Sequence, residues 1–155
     1  MFFKTYARRT LGRQWSKERS VFADWRLDAE STPRICIDND LELWHANKFI
    51  KDDTDRKNTA NMMRRYSKDI KNMYIQLTCK SSYPQVGYQD FTQFSATVKF
   101  PDTAGDGNFK QSMVDNHYIA SNNNPHPIPK HDPSILARYK FVEVLARIAQ
   151  GKYTS

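Results

Sequence analysis

Four groups of residues have the types and spacing for metal or acid–base chemistry. The run KDDTDRKN sets Asp52, Asp53 and Asp55 close together, as an acidic metal loop would. A charged helix start explains them better, because carboxylates in a first turn complement the helix dipole. DTAGDGNF places Asp102, Asp106, Gly107 and Phe109 at positions 1, 5, 6 and 8 of a calcium loop. It fails at position 3, which is Ala104, and at position 12, which is Met113. PHPIPKHDP brings His126, His131 and Asp132 together, but at no established metal spacing. The remaining group is a pair of loops, one ending at Asp90 and the other at Lys140. No P-loop, no G-x-S-x-G and no Gly-rich turn after a plausible strand is present, so the residues point to no catalytic activity and no cofactor.

The paired loops are flanked by helical periodicity. Met62, Tyr66, Ile70, Met73, Tyr74 and Leu77 recur at steps of three and four, predicting one long helix over 59–80. Phe91, Phe94 and Val98 predict a second helix over 90–100, and Phe109, Met113 and Tyr118 a third over 109–120. Phe141, Val144, Leu145 and Ile148 predict the last, with Gly151 as its stop. NDLELWHANKFIK, 39–51, reads as a short helix before them. SNNNPHPIPKHDP is too proline-rich for helix. The order is thus helix, loop, helix, connector, and the same again. An all-α fold is expected, with one or two helices preceding the two units.

With Val86 at position 8 of a calcium loop, position 12 is Asp90 and position 13 is Phe91. With Leu136 at position 8, position 12 is Lys140 and position 13 is Phe141. The two position-8 residues are expected to pair across a short β-link between loops. The ligands do not follow the frame. Calcium needs six to eight oxygens from positions 1, 3, 5, 7, 9 and 12. The first loop offers Cys79, Ser81 and Tyr83 at positions 1, 3 and 5, Pro84 where glycine is needed, and only the short Asp90 at position 12. The second offers a cation, Lys140, in place of the bidentate glutamate. No metal site is expected.

The block from Leu43 to Tyr153 resembles a divergent EF-hand-like domain family of ciliated and flagellated protists. NKFIKDDTDRKN, YPQVGYQDFTQF and HYIASNNN…LARYKFVEVLARIAQGKY carry the resemblance, the last most specifically. It implies a degenerate EF-hand pair without catalytic activity, built into the ciliary axoneme or another cytoskeletal assembly. The Pro/His-rich second loop and the N-terminus depart from the family pattern.

The 155 residues carry a net charge of +7, and 13% are aromatic. Much of the charge lies in MFFKTYARRTLGRQWSKERS, where Lys4, Arg8, Arg9, Arg13, Lys17 and Arg19 face Glu18 alone. Residues 1–38 read as an extended basic and aromatic arm, and 39–155 as the helical domain. Such an arm seeks an acidic partner, whether nucleic acid, anionic lipid or an acidic protein surface such as tubulin; the family resemblance implies tubulin or axonemal proteins. Phe2, Phe3 and Trp15 are its candidate apolar anchors. The folded block has no recognisable RNA module, which argues against nucleic acid. No apolar run approaches 18 residues, so no membrane span is expected. Cys36 and Cys79 are far apart and suit a reducing compartment. The expectation is a non-catalytic adaptor of the cytoplasm, cytoskeleton and cilium, binding protein partners in a large assembly. Two alternatives stand beside it. One is a small basic subunit of a mitochondrial or ribonucleoprotein complex. The other is a calcium sensor, which Lys140 disfavours.

Overall fold

A computed structural model describes residues 31–80, 83–102, 108–123, 132 and 134–153. The described region is all-α, with six helices: α1 (Ser31–Leu43), α2 (Asp53–Arg65), α3 (Ser67–Lys80), α4 (Tyr88–Thr97), α5 (Gln111–Asn122) and α6 (Arg138–Tyr153). A 3-10 turn, Ala46–Lys48, links α1 to α2. No helix among the described residues is long and apolar enough to cross a membrane.

Two boundaries differ from expectation. Residues 31–38, expected to end an extended arm, are helical, and Ile37 is buried in the core. The domain therefore begins before residue 39. The helix expected over 59–80 is two helices that meet at Tyr66, whose backbone leaves the helical region (φ −100°, ψ 17°). The stripe that predicted one helix chose the wrong face at its start. Met62 and Tyr66 are exposed, while Met63 packs on the core and Ser67, Ile70 and Tyr74 are buried. Turned outward, the Tyr66 ring lies under the Arg65 guanidinium at 5.7 Å.

Local chemistry explains most helix ends. Asp52 caps α2, its carboxylate accepting the Asp55 N–H at 2.9 Å. Asp53 and Asp55 occupy its first turn and Arg64 and Arg65 its last, which suits the helix dipole at both ends. The acidic run is thus a helix start. α4 ends where Lys99 turns into the left-handed region (φ 57°). The Phe100 N–H then reaches the Ser95 carbonyl and the Lys99 N–H the Ala96 carbonyl. Phe100 packs edge-on against Phe94 at 5.6 Å, completing the hydrophobic half of this helix stop.

α6 is the central element. Every residue from Tyr139 to Val144 is buried, so this stretch has no solvent face. Phe141 meets Tyr74 of α3 at 5.5 Å, and Phe91 and Phe94 of α4 at 6.5 and 6.2 Å. Phe91 is buried with it, whereas Phe94 and Leu145 are only half-buried at the edge of the same cluster. Gly151, expected to stop the helix, lies inside it. A Cβ there would sit 2.7 Å from His117 Nε2 and 3.1 Å from Phe109 Cε2, so glycine is needed for close approach to α5 and the chain before it.

Polar groups fasten α6 to the N-terminal helices. Arg138 donates to both oxygens of Asp40, at 2.7 and 3.1 Å. Glu143, fully buried, accepts from Arg147 at 2.8 and 2.9 Å and from the His45 backbone N–H at 3.0 Å. Gln150 donates to the Phe49 carbonyl at 2.8 Å.

These contacts set expected mutational costs. Phe141→Ala removes a ring that touches three other rings and should cost about 3–5 kcal/mol of stability. Tyr83→Ala, at a side chain 76% exposed, should change the urea midpoint little. Equal midpoints for the two variants would mean that Phe141 is not at the centre of the core.

Candidate functional site

The two loops meet at one pair of residues. Val86 and Leu136, both fully buried, form an isolated antiparallel bridge. The Val86 N–H donates to the Leu136 carbonyl at 3.1 Å, and the reverse bond measures 2.9 Å. Each loop is also held by a tyrosine on the helix that leads into it. The Tyr74 hydroxyl of α3 lies 2.7 Å from the Pro84 carbonyl and 3.2 Å from that of Leu136. The Tyr118 hydroxyl of α5 lies 2.9 Å from the Ser134 carbonyl and 3.3 Å from that of Val86. The two hydroxyls therefore grip both sides of the bridge, each reaching its own loop and the opposite one. Phe91 and Phe141, each five residues beyond its bridge residue, close the arrangement below.

Lys140 is the unexpected member. The spacing suggested a charge spoiling a cation site, but the structure gives the ammonium a partner. Its side chain is 1% exposed. Nζ donates to the Asn122 carbonyl at 3.0 Å. Asn122 is the last residue of α5, where carbonyls lack helical partners and the helix end is partly negative. Lys140 thus ties the start of α6 to the end of α5, the two helices that flank the second loop. Burial pushes its pKa below the ordinary lysine value, and the negative charge of Glu143 pulls in the opposite direction.

The other expected loop positions are less engaged. Cys79, in the last turn of α3, and Tyr83 are exposed. Ser81 lies outside the described residues. Asp90, in the first turn of α4, is half-buried and lines a groove between α3 and α4. Asp102 is occupied within the chain. It accepts the Phe109 N–H at 3.0 Å and pairs with Lys152 at 3.0 Å, and both contacts hold its pKa below the ordinary value. His126 and His131 also lie outside the described residues. Asp132 Oδ1 accepts from the Ser134 N–H and hydroxyl at 2.8 and 2.6 Å. Among the described residues, no group of three or more His, Cys, Asp or Glu side chains is placed to hold a metal ion. The expected anchors of the arm, Phe2, Phe3, Lys4, Arg8, Arg9, Arg13, Trp15, Lys17 and Arg19, all lie outside the described residues.

The groove between α3 and α4 has a volume of about 490 Å³. Met73, Leu77, Phe94 and Val98 give it apolar walls, with Lys80 and Asp90 among its polar residues. Its walls were legible as periodic apolar positions. The Tyr74 and Tyr118 hydroxyls were not, because a helical stripe reports the ring and says nothing of where its oxygen bonds. No family model, curated protein or solved structure matches this chain.

The buried hydroxyls impose an alkaline limit. Burial raises Tyr118 and Tyr139 from 10.0 to about 12, and Tyr74 further. A group with a raised folded pKa contributes stability that is complete below its unfolded pKa and is lost as pH rises through the folded one. The tyrosine contribution is therefore intact below about pH 10 and falls as pH climbs toward 12. Urea midpoints measured at about pH 9 and about pH 11 should show this loss. The Tyr74→Phe/Tyr118→Phe variant should show a smaller drop, and an undiminished one would exclude these hydroxyls as its source.

Proposed function

We propose that this chain is a non-catalytic structural adaptor of the ciliary axoneme or a similar microtubule-based assembly. In this reading α3–α4 and α5–α6 form a degenerate EF-hand pair that engages partner proteins through the basic arm and the α3–α4 groove. The observation that carries the reading is Lys140. A charged group buried at a loop end is costly without a partner, and this one donates to a carbonyl at the end of the neighbouring helix. A fixed internal cation holds the second unit in a single shape. The bridge between Val86 and Leu136 and the tyrosine pair add to the same constraint. A sensor needs two shapes and an ion to choose between them. A permanent structural part needs one. The apolar groove then suits a partner helix laid along it.

Two measurements test the reading. Isothermal titration of the full chain with calcium to the millimolar range should give no saturable heat. Saturation at micromolar calcium would replace the adaptor with a sensor. Removing residues 1–20 should leave the thermal unfolding of the helical block intact, since among the described residues the buried core runs from Ile37 to Ile148. The same deletion should abolish co-sedimentation with axonemes. If the shortened chain still pellets as well as the full one through a high-salt wash, the arm is not the anchor.

A further inference from the structure

Away from both loops, α2 lines up Arg56, Lys57, Ala60, Asn61 and Arg64 at steps that place them on one helical face. That face borders an open notch of about 480 Å³, whose other wall is Trp44 and Ala46. Among the described residues, no acidic side chain lines the notch. The carboxylates that pair with its cations stand outside it. Asp53 meets Arg56 and Lys57 at 2.9 and 2.8 Å, and Asp38 meets Arg64 at 2.7 Å. Arg56 is also held in place by the Ile50 and Lys51 carbonyls, at 2.9 and 2.8 Å. α2 has no fully buried residue; on this face only Ala60 packs against the core, and the charged side chains lie outside it. Trp44 is half-buried, with one ring edge directed at Phe49 in a T-shaped contact of 6.4 Å.

We propose that this notch is a docking site for an acidic peptide segment of a partner protein. Charge complementarity selects the occupant. Three cations bound an apolar floor of Trp44, Ala46 and Ala60. Glutamate or aspartate side chains can place carboxylates on Arg64 and Lys57 while their methylenes lie on the indole. Asn61 offers an amide to the peptide backbone. The existing ion pairs do not block entry, because Lys57 and Arg64 pair with exposed carboxylates, and such pairs are worth little in water. A nucleic-acid strand fits less well. Its phosphates continue beyond the notch in both directions and would meet the exposed Asp38 and Asp53. The site lies on α2 and the segment that joins α1 to it, so it stands or falls independently of the calcium-loop reading.

The test uses the full ¹⁵N-labelled chain, with the Trp44 indole N–H resonance as reporter, assigned by its loss in Trp44→Phe. A capped hexaglutamate peptide should shift that resonance saturably, and added salt should weaken the effect. The Lys57→Gln/Arg64→Gln variant, altered only at exposed side chains, should keep its spectrum and lose about tenfold in affinity. Shifts confined to residues 1–30 would assign the acidic peptide to the arm and overturn the proposal. An unchanged affinity in the double variant would do the same. A decauridylate strand that moves the Trp44 resonance at lower concentration than the peptide would make the notch a nucleic-acid site instead.

Discussion

The enclosure of α6 is the constraint on which the rest of the structure depends. A helix buried on every side from Tyr139 to Val144 must be surrounded by other elements. Phe141 draws α3 and α4 against it, Arg138 and Glu143 bind it to α1 and the turn after it, and Lys140 binds it to α5. Two of its buried side chains are charged. Burial of such groups is costly unless each finds a partner. Both do: Lys140 bonds the Asn122 carbonyl, and Glu143 accepts from Arg147 of its own helix and from the distant His45 N–H. A buried charge with a single matching partner penalises misplacement more sharply than an apolar contact does. These polar groups therefore help select one arrangement of helices around α6.

The loops follow from the same enclosure. Val86 and Leu136 share the core with Phe91 and Phe141, and the tyrosine hydroxyls reach the Pro84 and Ser134 carbonyls as well as the two carbonyls of the bridge. In the second loop Asp132 holds Ser134, and just beyond the loop Lys140 of α6 is bonded to the end of α5. Packing and hydrogen bonds internal to the chain thus fix the relation between the units, which is the property that a passive structural part requires.

Charge is arranged differently on the surface. The α3–α4 groove mixes four apolar side chains with polar ones that include one lysine and one aspartate, whereas the charged residues that border the Trp44 notch are all cations. The two concavities therefore differ in chemistry: both signs of charge stand beside apolar walls in the first, and cations stand beside an indole in the second.

By itself, the sequence determined the helical class, the four helices around the two loops and the register that set Val86 opposite Leu136 in expectation. These are consequences of local periodicity and loop spacing, which reside in neighbouring residues. It also determined that the Asp52–Asp55 run starts a helix, because capping is local. Only the tertiary structure decided the break at Tyr66, since the winning stripe, Met63, Ser67, Ile70 and Tyr74, is defined by the face that meets α6. Only it placed residues 33–38 in the domain, through Ile37. Asp40 and Arg138 are 98 residues apart, as are His45 and Glu143, and no local pattern announces either pair. Gly151 read as a helix stop because a stop is what glycine usually signals locally. Its actual role is steric and requires His117 and Phe109 from elsewhere in the chain. Lys140 shows the division most clearly: its charge was evident from its letter, but whether that charge faced water or a helix end depended on where α5 stopped.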